Sequence, residues 1–249
     1  MSVRKVRDAL VLMGAFITLI WILQVFNWAD GYRLDAEFGI LPHSASHLGD
    51  IFTAPFLHFS WQHIEGNTVP LFVLGVLAAY RGIVKFLLVT LIVAVVSGLA
   101  VWLFQSGNEL TVGASGLIFG YFGYVLVRGF FDRNLVDIGV GIVAALAYWT
   151  ILQVAIPGTP GISWIGHLGG LCGGVLAAWA LRARAPAGLG AGGRVAGLGS
   201  GRSGGDRPRG SRSGGPGRDD PARGTGAPGG HPGGRAAADL LRELDDMGL

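Results

Sequence analysis

The chain has 249 residues, of which 51% are hydrophobic and 14% charged, with a formal net charge of +3. The charges gather at the ends and between apolar runs, which excludes a soluble single-core globule and indicates a polytopic membrane protein followed by a soluble tail. One cysteine, Cys172, excludes an internal disulfide and is read as a small apolar residue in a helix contact; without an HExxH pattern no zinc centre is expected.

In chain order, residues 1–8 carry Arg4, Lys5 and Arg7 ahead of an apolar run over 9–28. That run is long enough to span a bilayer and lacks a small-x-small cleavage site, so it reads as a retained helix and not as a signal peptide. Further apolar runs cover 63–80, 84–104, 115–130, 135–156 and 162–181, making six spans. Their length and continuous apolarity favour helices over the strands of a closed barrel. The expected fold is therefore an all-α bundle of six transmembrane helices over 9–183, with a disordered tail at 184–249.

Basic residues favour the cytoplasmic side. Arg4, Lys5 and Arg7 place the N-terminus inside; Arg81 and Lys85, then Arg128 and Arg133, then Arg182 and Arg184 mark alternate turns as cytoplasmic. The segment 29–62, with Asp30, Asp35, Glu37 and Asp50 against Arg33, falls outside, as does the loop carrying Glu109. Both termini then lie in the cytoplasm. The second, fourth and sixth spans all start at the outer face, which puts His63 and Asn67, Ser115, and His167 at one depth. Polar side chains inside a membrane are costly and face a cavity or one another, so one shared site explains them best. The fourth span, at about 1.5 Å per residue, extends about 24 Å against roughly 30 Å of hydrocarbon, so Ser115 is expected in a recess open to outside water.

An isolated Gly113-Ala114-Ser115-Gly116 would read as a helix N-cap at a tight turn. Here it stands with His58-Phe59-Ser60, His63-Ile64-Glu65-Gly66-Asn67 and Gly166-His167-Leu168-Gly169-Gly170. In order and spacing this set resembles the rhomboid intramembrane serine proteases. The resemblance implies that Ser115 is the nucleophile and His167 its general base, in a dyad that needs no carboxylate and no cofactor. Phe119, one turn after Ser115, stands where the family often carries a tyrosine against the catalytic imidazole. His63 and Asn67, four residues apart on one helical face, are assigned by the same resemblance to the oxyanion; the backbone amides of Ser115 and Ala114 are expected to add to them, since a helix start has unpaired donors. Pro70 cannot bond back to the Gly66 carbonyl, and a local bend there would aim the pair. His58 is read as a loop-stabilising residue.

Gly166, Gly170 and Gly174 recur every four residues, giving a flat face expected to meet the fourth span and bring His167 to Ser115. The outer segment carries Ile51, Phe52, Phe56, Leu57, Phe59 and Trp61 among few charges and is expected to dip into the interface. Many rhomboids have a Trp-Arg pair there; this chain has Gly49-Asp50. The fifth span, with Asp137 and Gln153 near its ends, is the lateral gate by resemblance. The tail is Gly-, Pro-, Arg- and Ser-rich and cannot build a packed core. It reads as a solvated linker with no nucleic-acid partner, and a short helix at 236–247 would need a docking partner of unknown identity.

The sequence thus points to a serine endopeptidase of the bacterial plasma membrane that cuts transmembrane proteins in or beside their spans. The resemblance implies small residues at the cut and a locally unwound substrate. The alternatives are an inactive rhomboid-like binder of membrane-protein clients and a transporter, the latter disfavoured by the lack of paired acidic residues in the spans.

Overall fold

A computed structural model describes residues 3–107, 109–150 and 162–182. The tail, the helix expected at 236–247, Gln153 and the last part of the fifth span lie outside the described residues. Seven α-helices run in order: α1 (Val3–Ala29), α2 (Arg33–Phe38), α3 (Trp61–Ala79), α4 (Ile83–Phe104), α5 (Ser115–Asp132), α6 (Leu135–Ala147) and α7 (Trp164–Ala180). Among the described residues the only β-type pairing is an isolated bridge between Ile40 and Thr111. The fold is the all-α bundle expected. Helices α1 and α4 are each long and apolar enough to cross a membrane, whereas α6 and α7 are shorter apolar helices. Large apolar side chains stay exposed along α1 (Val11, Val25, Phe26), α4 (Leu87, Leu91) and α6 (Val143, Leu146), while other apolar residues of the same helices are buried. Helices apolar on both inner and outer faces suit a lipid surround.

Helix α5 is the centre. Every residue from Leu117 to Val125 is buried, and the helix packs against α3, α4, α6 and α7. Lipid tails are as apolar as leucine, so helix association here depends on close packing and hydrogen bonds. Glycines supply the closeness. A Cβ on Gly170 would strike the carbonyl oxygen of Gly116, and one on Gly174 the carbonyl oxygen of Gly120. A second row, Gly169 and Gly173, faces Ser97 and Ala100, then Val93 and Val96, of α4. Gly166 departs from the expected face: it approaches Val101 of α4 and its carbonyl accepts from Ser97 Oγ at 2.7 Å. The helix period explains this, because positions four apart drift around the axis and the first of three has rotated onto the neighbour.

Two further expectations are revised. Helix α5 continues to Asp132, 18 residues or about 27 Å, so the recess at Ser115 is shallower than a helix ending at 130 would give. Helix α6 runs to Ala147, where Tyr148 departs from helical backbone; the expected end of the span at 156 lies outside the described residues. Cys172 is a free, exposed thiol and not part of a helix contact; Gly169, Gly170, Gly173 and Gly174 occupy the packed faces of α7 instead.

At the end of the bundle opposite Ser115, two residues read as topology markers, Arg81 and Arg128, join an ion cluster with Asp132 and Asp137. Arg128, 1% exposed along its side chain, lies 3.3 Å from Asp137 Oδ1 and donates to the Leu77 carbonyl at 2.5 Å. Arg81 and the Tyr80 hydroxyl also donate to Asp137, and Arg81 reaches Asp132 at 3.3 Å. The Arg128 guanidinium sits 4.6 Å from the Tyr80 ring centroid and 5.6 Å from that of Tyr124. This cluster joins the end of α3, α5 and the first turn of α6. Along the rest of α6, Gly141 meets the carbonyls of Val125 and Leu126.

Gly174 lies away from the polar residues at the start of α5, so it isolates packing from chemistry. Gly174→Val is expected to insert normally and to lose about 1–3 kcal/mol of stability through overpacking, read as a lower thermal midpoint in detergent. An unchanged midpoint would show that the α5–α7 contact is not tight.

Candidate active site

Ser115 is the first residue of α5, and the chain reaches it through a closely held approach. Gly113 has φ 127, a conformation that favours glycine. A side chain there would also meet His63, since an added Cβ would lie 2.7 Å from the ring atoms Cε1 and Nε2. The Gly113 N–H donates to the Ala54 carbonyl at 2.9 Å, and Ile40 and Thr111 exchange backbone hydrogen bonds at 3.0 and 2.9 Å. The Ala114 N–H donates to His58 Nε2 at 3.4 Å. That contact corrects one expectation: the Ala114 amide, expected as a free donor at the helix start, is turned to His58.

Helix α3 contributes the facing wall. Ser60 caps it, its hydroxyl accepting from the His63 N–H at 3.2 Å. His63, Gly66, Asn67 and Pro70 recur at helical spacing along one face. With Ser115, Phe119 and His167 they line a cleft of about 1140 Å³. Asn67 Nδ2 is buried and has no hydrogen-bond partner. It lies 3.8 Å from the point a Cβ on Gly113 would occupy, beside the His63 ring. Two side-chain donors thus converge next to Ser115.

Helix α7 brings His167 to the same cleft. Ser163 caps α7, accepting from the Gly166 N–H at 3.1 Å and donating to Gln105 Oε1, while Gln105 Nε2 donates to Thr111 Oγ1 at 2.8 Å. His167 is 6% exposed. Its ring stacks on Phe119 with centroids 4.3 Å apart and planes 12° from parallel. The packing expected of the aromatic residue is therefore present without a hydroxyl. Ser97, Ser163 and Gln105 position α7, and the sequence reading did not single them out. Ser163 was readable as a serine three residues before Gly166 at the head of an apolar run; Ser97 and Gln105 carried no such signal. Among the described residues no three His, Cys, Asp or Glu side chains form a metal-binding group.

His58 is fully buried, its ring edge-on to that of His63 with centroids 4.9 Å apart. Because Nε2 accepts from Ala114, the neutral ring carries its proton on Nδ1. Burial, and then the neighbouring His63, push the pKa of His58 down to about 3. The Gly49-Asp50 segment has its own anchors: Asp50 Oδ2 lies 2.7 Å from His47 Nδ1, Ile51 packs against Gly98, and Trp102 Nε1 donates to the Ser44 carbonyl at 2.9 Å. Between α1 and α2, Asn27 donates to Asp35 at 2.9 Å. Burial raises the Asp35 carboxyl to about 6, against the lowering effect of that hydrogen bond.

The sequence pattern of the Rhomboid domain family matches residues 45–184. The uncharacterized protein Rv1337 of Mycobacterium tuberculosis is 39% identical over 176 residues, covering 68% of this chain and 73% of its own length. The Bacillus subtilis protein YdcA, named as a candidate rhomboid protease, is 29% identical over 51% of this chain and 63% of its own. Rhomboid-like protein 11 of Arabidopsis thaliana chloroplasts is 30% identical over 52% and 51% respectively.

The two shifted groups make opposite contributions to acid stability. The unfolded chain protonates His58 below 6.5 but the folded chain only near 3, so stability is lost as pH falls through that window. The folded chain holds the Asp35 proton up to about 6 and the unfolded chain only up to 3.8, so that contribution is lost as pH rises between them. Asp35→Asn is expected to make the thermal midpoint in detergent fall more steeply from about pH 6 to 4 than in the wild type, and His58→Gln less steeply. Parallel profiles for all three proteins would remove both assignments.

Proposed function

The chain belongs to the rhomboid family, and on that premise we propose that it is an intramembrane serine endopeptidase that hydrolyses peptide bonds in or near the transmembrane segments of other membrane proteins. The observation that supports this reading best is the unpartnered, buried Asn67 amide beside Ser115 and His167 in one cleft. A buried donor without an acceptor costs roughly 1–3 kcal/mol, and a developing oxyanion is an acceptor that would use it.

In this mechanism Ser115 Oγ attacks the scissile carbonyl carbon while the His167 imidazole takes the hydroxyl proton. The carbonyl oxygen becomes the oxyanion and receives hydrogen bonds from Asn67 Nδ2, the His63 ring and the Ser115 amide. The intermediate collapses to an ester on Ser115 as the imidazolium gives its proton to the departing amine. Water, activated by the same imidazole, then hydrolyses the ester and restores the serine. Phe119 and the capping bonds of Ser163 and Ser97 hold His167 in place of the carboxylate that a three-residue triad would supply. The cleft opens on the outer face of the membrane, with six spans and both termini in the cytoplasm. Its substrates reach the cleft from the bilayer, and the fifth span, α6, serves as the lateral gate.

Reconstituted with a model transmembrane substrate and a serine-reactive phosphonate, the wild type is expected to cleave and to be labelled, and Ser115→Ala to do neither. Identical behaviour of the two proteins would leave an inactive binder of membrane-protein clients as the better account. Asn67→Ala is expected to lower kcat by about 100-fold with little change in KM, because the bond it removes forms in the transition state.

A further inference from the structure

Gly66 is a glycine that neither packing nor backbone geometry explains. It sits inside α3, where glycine is a poor helix former, and it has no positive φ. Most glycines on the packed faces of α5 and α7 have a neighbour that a Cβ would strike. On α3 itself, a Cβ on Gly75 would meet the Met13 side chain. Around Gly66, by contrast, nothing lies within 4 Å of the position a Cβ would take. This open space is not on the lipid side alone: Gly66 lines the cleft, on the same helical face as His63, Asn67 and Pro70.

Chemistry fixes which part of a substrate comes here. The oxyanion forms on the carbonyl of the residue before the cut, and the Cα bearing that residue's side chain is bonded directly to the carbonyl carbon. When Asn67 and His63 hold the oxygen, the side chain of the same residue must lie beside them. Gly66 stands between those two donors in the chain, and the cleft it lines includes the apolar residues Pro70 of α3 and Ile118 and Phe119 of α5 beside polar ones such as Gln62 and Gln105. We propose that Gly66 opens the α3 wall into a subsite for a bulky apolar side chain, so that this protease accepts Leu or Phe at the residue supplying the scissile carbonyl. The proposal rests on the proteolytic reading and departs from the preference for small residues that the resemblance implies.

The test uses the full chain in liposomes with two model transmembrane substrates that differ only in Ala or Phe at the residue before the cut, the cut being located by mass spectrometry. The readout is the ratio of kcat/KM for the Phe substrate to that for the Ala substrate. In the wild type the ratio is expected at or above about one. Gly66→Leu is expected to lower it by about tenfold or more, the scale on which a pocket discriminates side-chain size, and Gly66→Ala to fall between. Leucine is the better helix former at this position, and labelling of Ser115 by a small phosphonate checks that the variant's site is intact. If Gly66→Leu is not labelled, the Gly66→Ala ratio decides. A wild type that favours Ala by tenfold, or a ratio that Gly66 variants do not move, overturns the proposal while the proteolytic reading stands. A wild type that neither cleaves nor labels overturns both.

Discussion

His167 reaches the start of α5 because two helix backbones touch. The contact of Gly170 and Gly174 with the carbonyls of Gly116 and Gly120 sets how close α7 lies to α5. The second glycine row does the same toward α4, so α7 is fixed from two sides. In a bilayer such a contact draws on dispersion forces and hydrogen bonds, because burying apolar surface among lipid tails gains little. Replacing hydrogen by methyl at these positions would move a helix and with it an imidazole. The placing of His167 in the cleft is in this sense a property of small residues that themselves carry no chemistry.

Around that contact the polar groups of the cleft fall into two kinds. Several that build the site have partners: Ser60 and Ser163 cap their helices, Ser97 holds the Gly166 carbonyl, and His58 Nε2 receives the Ala114 amide. Asn67 Nδ2 does not. Other buried side-chain atoms also lack partners, His58 Nδ1 and both amide atoms of Gln24 among them; what sets Asn67 Nδ2 apart is that its residue lines the cleft with Ser115, where an acceptor that arrives later can use the donor. The His58 contact also shows how a neutral histidine serves as scaffolding: its buried ring offers an acceptor to the Ala114 amide without bringing in a charge.

Much of this was legible in the chain. Apolar run lengths located the six long helices, and residue spacing gathered Ser115, His167, His63 and Asn67 onto one cleft, because helical periodicity and membrane thickness are local constraints. What remained hidden depends on partners distant in sequence. The Ala114 amide was read as a free donor because a first-turn N–H is unpaired within its own helix; the acceptor lies 56 residues earlier. Gly166 was assigned to α5 by a four-residue repeat, which cannot say which neighbour a rotating face meets. Gly66 drew notice only through its carbonyl, since the space around an absent side chain becomes visible only when every neighbour is placed.

Arg128 was read as a marker of topology and Asp137 as a polar residue near one end of the fifth span, yet their side chains are 1% and 2% exposed and paired with each other. Removing one member of a buried ion pair leaves an uncompensated charge, at a cost of about 3–5 kcal/mol. Their cluster draws on the end of α3, on α5 and on α6, and therefore closes only once three hydrophobic segments have assembled around it. A bundle missing α6, or holding it in the wrong register, would bury the Arg128 guanidinium without Asp137, an electrostatic fault that only the correctly assembled fold removes.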